Sequence, residues 1–278
     1  MTAFDPVQYK VNTKANWNAV AHTYHEGWAN SHVGPFRSTK ELIKLAQIKP
    51  SDKILDVGCG TGVVSREASL QLRDDGLLVG IDLSRTALLI AKKSITYQNL
   101  ALIEMDAETL GLNFQFDKIL SQYVLMFCPD INRALYNIRK NLRPGGTFVL
   151  AVHGLKEDVP YFSTIMESIL KYIPDIRPEG TPTVHRFGDV SVLQKTLEST
   201  GFDKIEIKKY NFEYRPGTFE EYWHDYMNST ANSIRPKLES AGKETISKIK
   251  DQSLQNALPY INDGGITFPW TVIIAKAG

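Results

Sequence analysis

With 278 residues, 42% apolar and 23% charged, the chain is long enough to bury a sizeable core, and a single α/β domain with insertions is the default for that length. A net charge of +1 gives no electrostatic footprint for nucleic acid or for an anionic membrane surface. The two cysteines, Cys59 and Cys128, form neither a C-x-x-C pair nor a disulfide framework, and no apolar run can span a bilayer. A reducing, cytoplasmic home without signal peptide or membrane span is therefore expected.

From Asn12 to Ala29 the pattern is helical, with Trp17, Val20, Ala21, Tyr24 and Trp28 recurring as one apolar-aromatic stripe. A second helix, Ser38 to Ala46, leads through Lys49-Pro50 into a strand at Lys53, and the proline discourages helix just before it. That strand breaks into Gly58-Cys59-Gly60-Thr61-Gly62, and a helical pattern follows from Val63 to Ala68. Glycines accept positive φ and let a ligand approach the backbone, while a helix start offers N–H groups, so the stretch reads as a small-molecule cradle. A dinucleotide fingerprint G-x-G-x-x-G would require glycine at position 63, where Val63 stands. The spacing is G-x-G-x-G, and with Asp56 ahead of it, Asp56-Val57-Gly58-Cys59-Gly60-Thr61-Gly62 resembles motif I of the class I S-adenosylmethionine-dependent methyltransferases.

The next strand, Leu77 to Ile81, ends in Asp82, about 20 residues beyond the glycines, where nucleoside-binding α/β folds place a ribose-binding acid. Ser84 caps a helix from Arg85 to Lys93 or beyond, Asn99 to Met105 reads as a third strand closed by Asp106, and Phe116 to Gln122 as a fourth. Asp130 to Asn141 is a helix, and Leu142-Arg143-Pro144-Gly145-Gly146 turns into the strand Thr147 to Val152. That piece also looks like the segment ahead of the fifth strand in small-molecule methyltransferases, so the resemblance spans Lys53 to His153. Strand and helix alternate with short connections, which makes a parallel sheet of right-handed crossovers the economical topology.

Beyond His153 the alternation lapses. Pro160, Pro174, Pro178 and Pro182 punctuate a stretch with one helical segment, Tyr161 to Tyr172, which reads as an inserted cap. Alternation resumes with a helix from Asp189 to Ser199 and a strand from Lys204 to Tyr210, pauses for two helical stretches between Thr218 and Leu258, and ends with the strand Thr267 to Ala275. The expected fold is a Rossmann-like, doubly wound α/β sheet of seven strands, the last antiparallel as in the resembled family. Within one methyltransferase domain over 1–278, residues 1–50 form an N-terminal helical lid and 51–155 the cofactor core. Stretches 156–183 and 213–265 are expected as substrate-cap insertions.

The resemblance implies S-adenosyl-L-methionine as cofactor and S-adenosyl-L-homocysteine as product. It places the cofactor against Tyr24, Asp56, Gly58, Cys59, Gly60, Asp82, Leu83, Asp106, Ala107 and Gln122. Each has a plainer reading: Asp82 as a solvated strand-end acid, Asp106 as a turn residue, Asp56 as a brace for the loop's own N–H groups, Tyr24 and Trp17 as a packing stripe. For the acceptor, Gln122 and Tyr123 close the fourth strand and His153 the fifth, at the strand ends where open α/β sheets bind ligands. His153 and Tyr123 are the catalytic candidates, His153 as a base poised near neutral pH, against the commoner structural histidine. His185, His224 and the pair His22 and His25 carry weaker signals, and no metal-ligand spacing accompanies them. Phe219, Tyr222, Trp223 and Tyr226 form one helical face, either core or the wall of an aromatic or apolar acceptor pocket.

The chemistry to expect is methyl transfer to a small organic acceptor, with alignment as the protein's main contribution and a base optional. Two rivals remain at this point. A nicotinamide-dependent oxidoreductase is disfavoured by Val63, and a non-catalytic nucleoside-binding module is disfavoured by the two insertions. The acceptor, the methylated atom and the oligomeric state are not written in the sequence.

Overall fold

A computed structural model describes residues 3–30 and 33–278. Asp5-Pro6 starts the chain's first helix, α1 (Pro6–Tyr24), six residues earlier than the apolar stripe indicates. The Asp5 carboxylate accepts from the backbone N–H of Val7 at 2.8 Å and of Gln8 at 3.2 Å, and proline at the first helical position loses no bond. α1 runs on into a five-residue π turn, His25–Ala29, and a 3-10 turn at Gly34–Ser38 leads into α2 (Thr39–Ala46).

The chain then alternates as its periodicity implies: β1 (Lys53–Val57), α3 (Val63–Ser69), β2 (Leu77–Asp82), α4 (Arg85–Ser94), β3 (Leu100–Glu104), β4 (Phe116–Gln122), α5 (Ile131–Asn141) and β5 (Leu142–His153). β1 pairs in parallel with β2 and with β4, β2 with β3, and β4 with β5. Two of these helix starts are capped by side chains the sequence places just ahead of them. Ser84 Oγ accepts from Ala87 N at 3.1 Å, and Asp130 Oδ1 accepts from Arg133 N at 3.0 Å. After β5 come α6 (Pro160–Tyr172), α7 (Val190–Ser199), β6 (Glu206–Gly217), α8 (Phe219–Asn228), α9 (Arg235–Ser240), α10 (Gly242–Ala257), β7 (Ile261–Asn262) and β8 (Gly265–Ala277).

The strand order is β3-β2-β1-β4-β5-β8-β6, with β8 antiparallel to β5. This is the expected seven-strand, doubly wound arrangement with its antiparallel strand, plus the two-residue β7 paired to β8. Several lengths differ from the periodicity, and β5 already begins at Leu142, in the stretch to Gly146 that reads as a turn in the sequence, with an irregularity in its pairing to β4 there. β6 and β8 extend well past the expected strands, and where two helical stretches were expected three helices form, because Pro236 at the start of α9 and Gly242 (φ 83°) at the start of α10 divide the run.

By its internal contacts the chain divides into two compact units, 1–16 with 154–181 and 211–271, and 17–153 with 182–210 and 272–278. The larger unit holds β1 to β5 and their helices, with Ile54, Leu55, Ile119, Leu120, Phe148 and Val149 wholly buried. The smaller has an aromatic core centred on Tyr161, whose ring lies 5.2 Å from Tyr222, 5.5 Å from Trp270 and 5.5 Å from Tyr214. The hydroxyl of Tyr222 donates to the Tyr161 carbonyl at 2.6 Å, and that of Tyr161 to Asp225 Oδ2 at 2.7 Å. Phe219, Tyr222 and Tyr226 are thus core residues of this unit, and Trp223 alone of that helical face is half-buried.

Candidate functional site

The site grows from the carboxyl ends of β1 and β2. Gly58 and Gly60 have φ of 69° and 53°, a region glycine enters without the Cβ penalty. The two glycines differ in what surrounds them. A Cβ at Gly58 would lie 2.2 Å from the Val124 side chain, whereas one at Gly60 would meet nothing within 4 Å. Gly58 thus lets the turn pack, and Gly60 leaves open space beside the backbone. Cys59 between them is buried, its thiol pushed up by burial and by the neighbouring carboxylates Asp56 and Asp82.

Asp82 is the hub of this turn. Its Oδ2 accepts from Gly60 N at 2.8 Å and its Oδ1 from Ser84 N at 2.7 Å. A carboxylate has about four lone-pair sites, so these bonds leave acceptor capacity for a ligand hydroxyl pair. Burial raises its pKa, opposed by hydrogen bonds from the backbone of Ser84, Gly60 and Leu83.

Asp56, within β1, is 1% exposed. Ser65 Oγ donates to its Oδ2 at 2.6 Å, while Oδ1 has no hydrogen-bond partner among the described residues. Burial pushes this carboxyl up to about 7, with the Ser65 hydrogen bond acting against it and the charge of Asp82 reinforcing it. Because the folded pKa lies above the ordinary 3.8, the group destabilises the fold increasingly as pH rises from 3.8 to about 7, and the cost is constant above that. Asp56→Asn, shaped like the neutral acid, is expected to gain on wild type by on the order of 4 kcal/mol between about pH 4 and pH 8. Denaturant unfolding at both pH values checks this, and a gap independent of pH refutes it.

Asp106 accepts from Glu108 N at 2.9 Å and caps the short 3-10 turn that starts at Ala107, which is buried. Gln122 is buried, with Thr39 Oγ1 donating to its Oε1 at 3.0 Å and its Nε2 donating to Ser38 Oγ at 3.0 Å. Its side chain is therefore committed to the start of α2. Tyr123 has φ of 61°, unusual for a bulky residue, and is held there by hydrogen bonds of its hydroxyl to Ser38 Oγ at 2.7 Å and the Pro35 carbonyl at 2.8 Å. Its ring stacks on His153 at 4.3 Å and 8°. His153 is 3% exposed, and burial, then the charge of His185, holds its pKa well below 6.5, so its imidazole is neutral at pH 7 and a weaker base than an exposed histidine.

Residues of the stretches 17–30 and 33–39 reach these strand ends. Asn18 Oδ1 accepts from Ser84 Oγ at 2.9 Å and from Thr86 N at 3.1 Å, giving α4 a second cap. His25 Nδ1 lies 3.0 Å from Thr61 Oγ1 in the glycine turn. Tyr24 is half-buried, edge-on to Trp17 at 5.3 Å and to Phe36 at 5.7 Å, and burial raises its phenol pKa. The structure thus brings Asp56, the glycine turn and Asp82 together, and Gln122, Tyr123 and His153 together. Asn18, Ser65, Ser38 and the His25–Thr61 pair are additions. Of these only Ser65, nine residues from Asp56 on the helix after the turn, carries a local signal; the others depend on partners 36 to 85 residues away.

Comparison with known proteins bears on the same region. Residues 48–201 match the family model described as a methyltransferase domain. The aklanonic acid methyltransferase DauC of Streptomyces sp. strain C5 is 27% identical over 181 residues, 60% of this chain and 81% of that protein. The demethylmenaquinone methyltransferase of Bacillus cereus is 24% identical over 187 residues, 62% and 79% of the two chains. In fold the chain is similar to the YcgJ protein of Bacillus subtilis, with a TM-score of 0.60 and 16% identity over 87% of this chain and 97% of the other. It is also similar to a Haemonchus contortus phosphoethanolamine N-methyltransferase 2 solved with S-adenosylhomocysteine, with a TM-score of 0.59 and 15% identity over 97% of this chain and 59% of that one. With more than half of its residues matched by the family model, the glycine turn and both site carboxylates among them, the chain belongs to the methyltransferase domain family.

Proposed function

We propose that this enzyme, an S-adenosyl-L-methionine-dependent methyltransferase, acts in the cytoplasm on a small organic acceptor of aromatic or apolar character. The observation that carries the cofactor reading is the pairing of Asp82 with Gly60 N beside the open space at Gly60, next to a buried Asp56 oxygen that lacks a donor. These residues fit the cofactor: acceptor capacity on Asp82 suits a ribose diol, and Asp56 suits an ammonium group. Gly58, Cys59 and Gly60 would line the same turn, Leu83, Asp106 and Ala107 would receive the adenine, and Tyr24 and Gln122 would flank the methionyl end.

When bound, the cofactor supplies an electrophilic sulfonium methyl group. The chain's part is to orient the acceptor and keep water away. Tyr123, locked by Ser38 and Pro35, holds the neutral His153 ring face to face, which fixes the ends of the fourth and fifth strands where the acceptor would sit. Stretches 156–183 and 213–265 are assigned to the acceptor side. Cys59 and Cys128 are both buried and form no disulfide, which fits a reducing compartment. No helix among the described residues is long and apolar enough to cross a membrane.

Calorimetric titration of S-adenosylhomocysteine and of NAD tests the cofactor reading, with binding of the former alone expected. Binding of NAD without the homocysteine compound overturns it. The segment from Trp17 to Ala29 is assigned as a lid, since Asn18 and His25 already clasp the Ser84 and Thr61 turns. Hydrogen exchange across it should slow on adding S-adenosylhomocysteine, and equal protection in both states removes the lid.

A further inference from the structure

Asp56 is the one site carboxylate whose surroundings do not match its charge. Its neighbours in register on β2 and β4 are Gly80 and Leu120, neither of which titrates. The α3 side presents the Ser65 hydroxyl to one oxygen only. The titratable groups that act on it are Asp82, itself a carboxyl, and the Cys59 thiol beside both, and neither offers positive charge. An ionised carboxyl 1% exposed, with no donor to one oxygen among the described residues, is costly, and such a group takes up a proton instead. The cofactor brings the missing cation.

We propose that Asp56 carries a proton in the cofactor-free protein and releases it to solvent when the methionyl ammonium binds beside it, so that cofactor capture is linked to proton release. The step breaks only the carboxyl O–H bond, and the ammonium replaces the lost charge balance. It rests on the cofactor reading above. Its direction is set by the sign of the charge: the ammonium favours the ionised form, so binding weakens as pH falls below the carboxyl's own titration and is level above it. The Ser65 hydroxyl favours the ionised form as well and therefore tunes where the change occurs.

The full chain is titrated with S-adenosylhomocysteine, which keeps the ammonium and undergoes no turnover, in buffers of low and high ionisation enthalpy. Near pH 6 about 0.9 proton should leave per molecule bound, and near pH 8 about 0.1. Affinity should fall up to about tenfold per pH unit below the midpoint. Asp56→Asn should abolish both the release and the pH dependence. Ser65→Ala, which keeps the carboxyl, should move the midpoint to higher pH and keeps the test decisive if the first variant binds too weakly. Binding near pH 6 without proton release, or equal release from Asp56→Asn, overturns the proposal while leaving the cofactor reading intact. No binding at any pH overturns both.

Discussion

Asp82→Ala is expected to lower the affinity for S-adenosylhomocysteine about tenfold to a hundredfold, with the upper end favoured by the residue's double role. Hydrogen bonds to a charged acceptor are worth about 1.5–3 kcal/mol, which corresponds to that range. The carboxylate also ties the glycine turn to the start of α4 by accepting from Gly60 N and Ser84 N, so its loss frees the loop that the ligand must meet in one conformation. Stability should fall by about 1–3 kcal/mol as those two N–H groups lose their acceptors. Calorimetry and denaturant unfolding on the same preparation separate the two effects. A solvated strand-end acid would change neither, and unchanged affinity would withdraw Asp82 from the ribose.

The largest stability effect is expected in the smaller unit. Tyr222 is wholly buried, packs 5.2 Å from Tyr161 and 5.1 Å from Phe268, and donates to the Tyr161 carbonyl. Tyr222→Ala removes an aromatic ring from a packed core, for which about 3–5 kcal/mol is typical, together with the hydroxyl's bond to the Tyr161 carbonyl. Tyr222→Phe keeps the ring and should cost only about 1 kcal/mol. Had the helical aromatic face lined an acceptor pocket, alanine there would alter acceptor KM and leave stability near wild type. Unfolding midpoints for the two variants therefore decide between core and pocket wall.

Much of the fold was legible because its signals are local. Alternating apolar runs and helical stripes, the caps at Ser84 and Asp130, and the G-x-G-x-G spacing each act within a few residues, and the strands and helices from Lys53 to Asn141 fall where those signals put them, while β5 takes in the expected turn over residues 142–146 as well. The pairing of Asp82 with the glycine turn follows from the same logic, since a parallel neighbour strand must end beside the turn that precedes it.

What only the tertiary structure decided depends on partners far along the chain. Periodicity could show that Phe219, Tyr222 and Tyr226 share a face but not that Tyr161 would meet Tyr222 and Tyr226 while packing on Trp270. Gln122 has the sequence position of a ligand residue, yet Ser38 and Thr39, more than eighty residues earlier, hold its side chain. His153 stands at a strand end in the sequence, but that it is buried, stacks on Tyr123 and has a lowered pKa appears only in the packed structure. Asp56 is the sharpest case: motif spacing marked the carboxyl, but its raised pKa follows from burial, against which a single serine hydroxyl acts at one oxygen while the other has no partner among the described residues. A residue's type and spacing are properties of the chain, whereas its desolvation and the donors around it exist only once distant segments have packed.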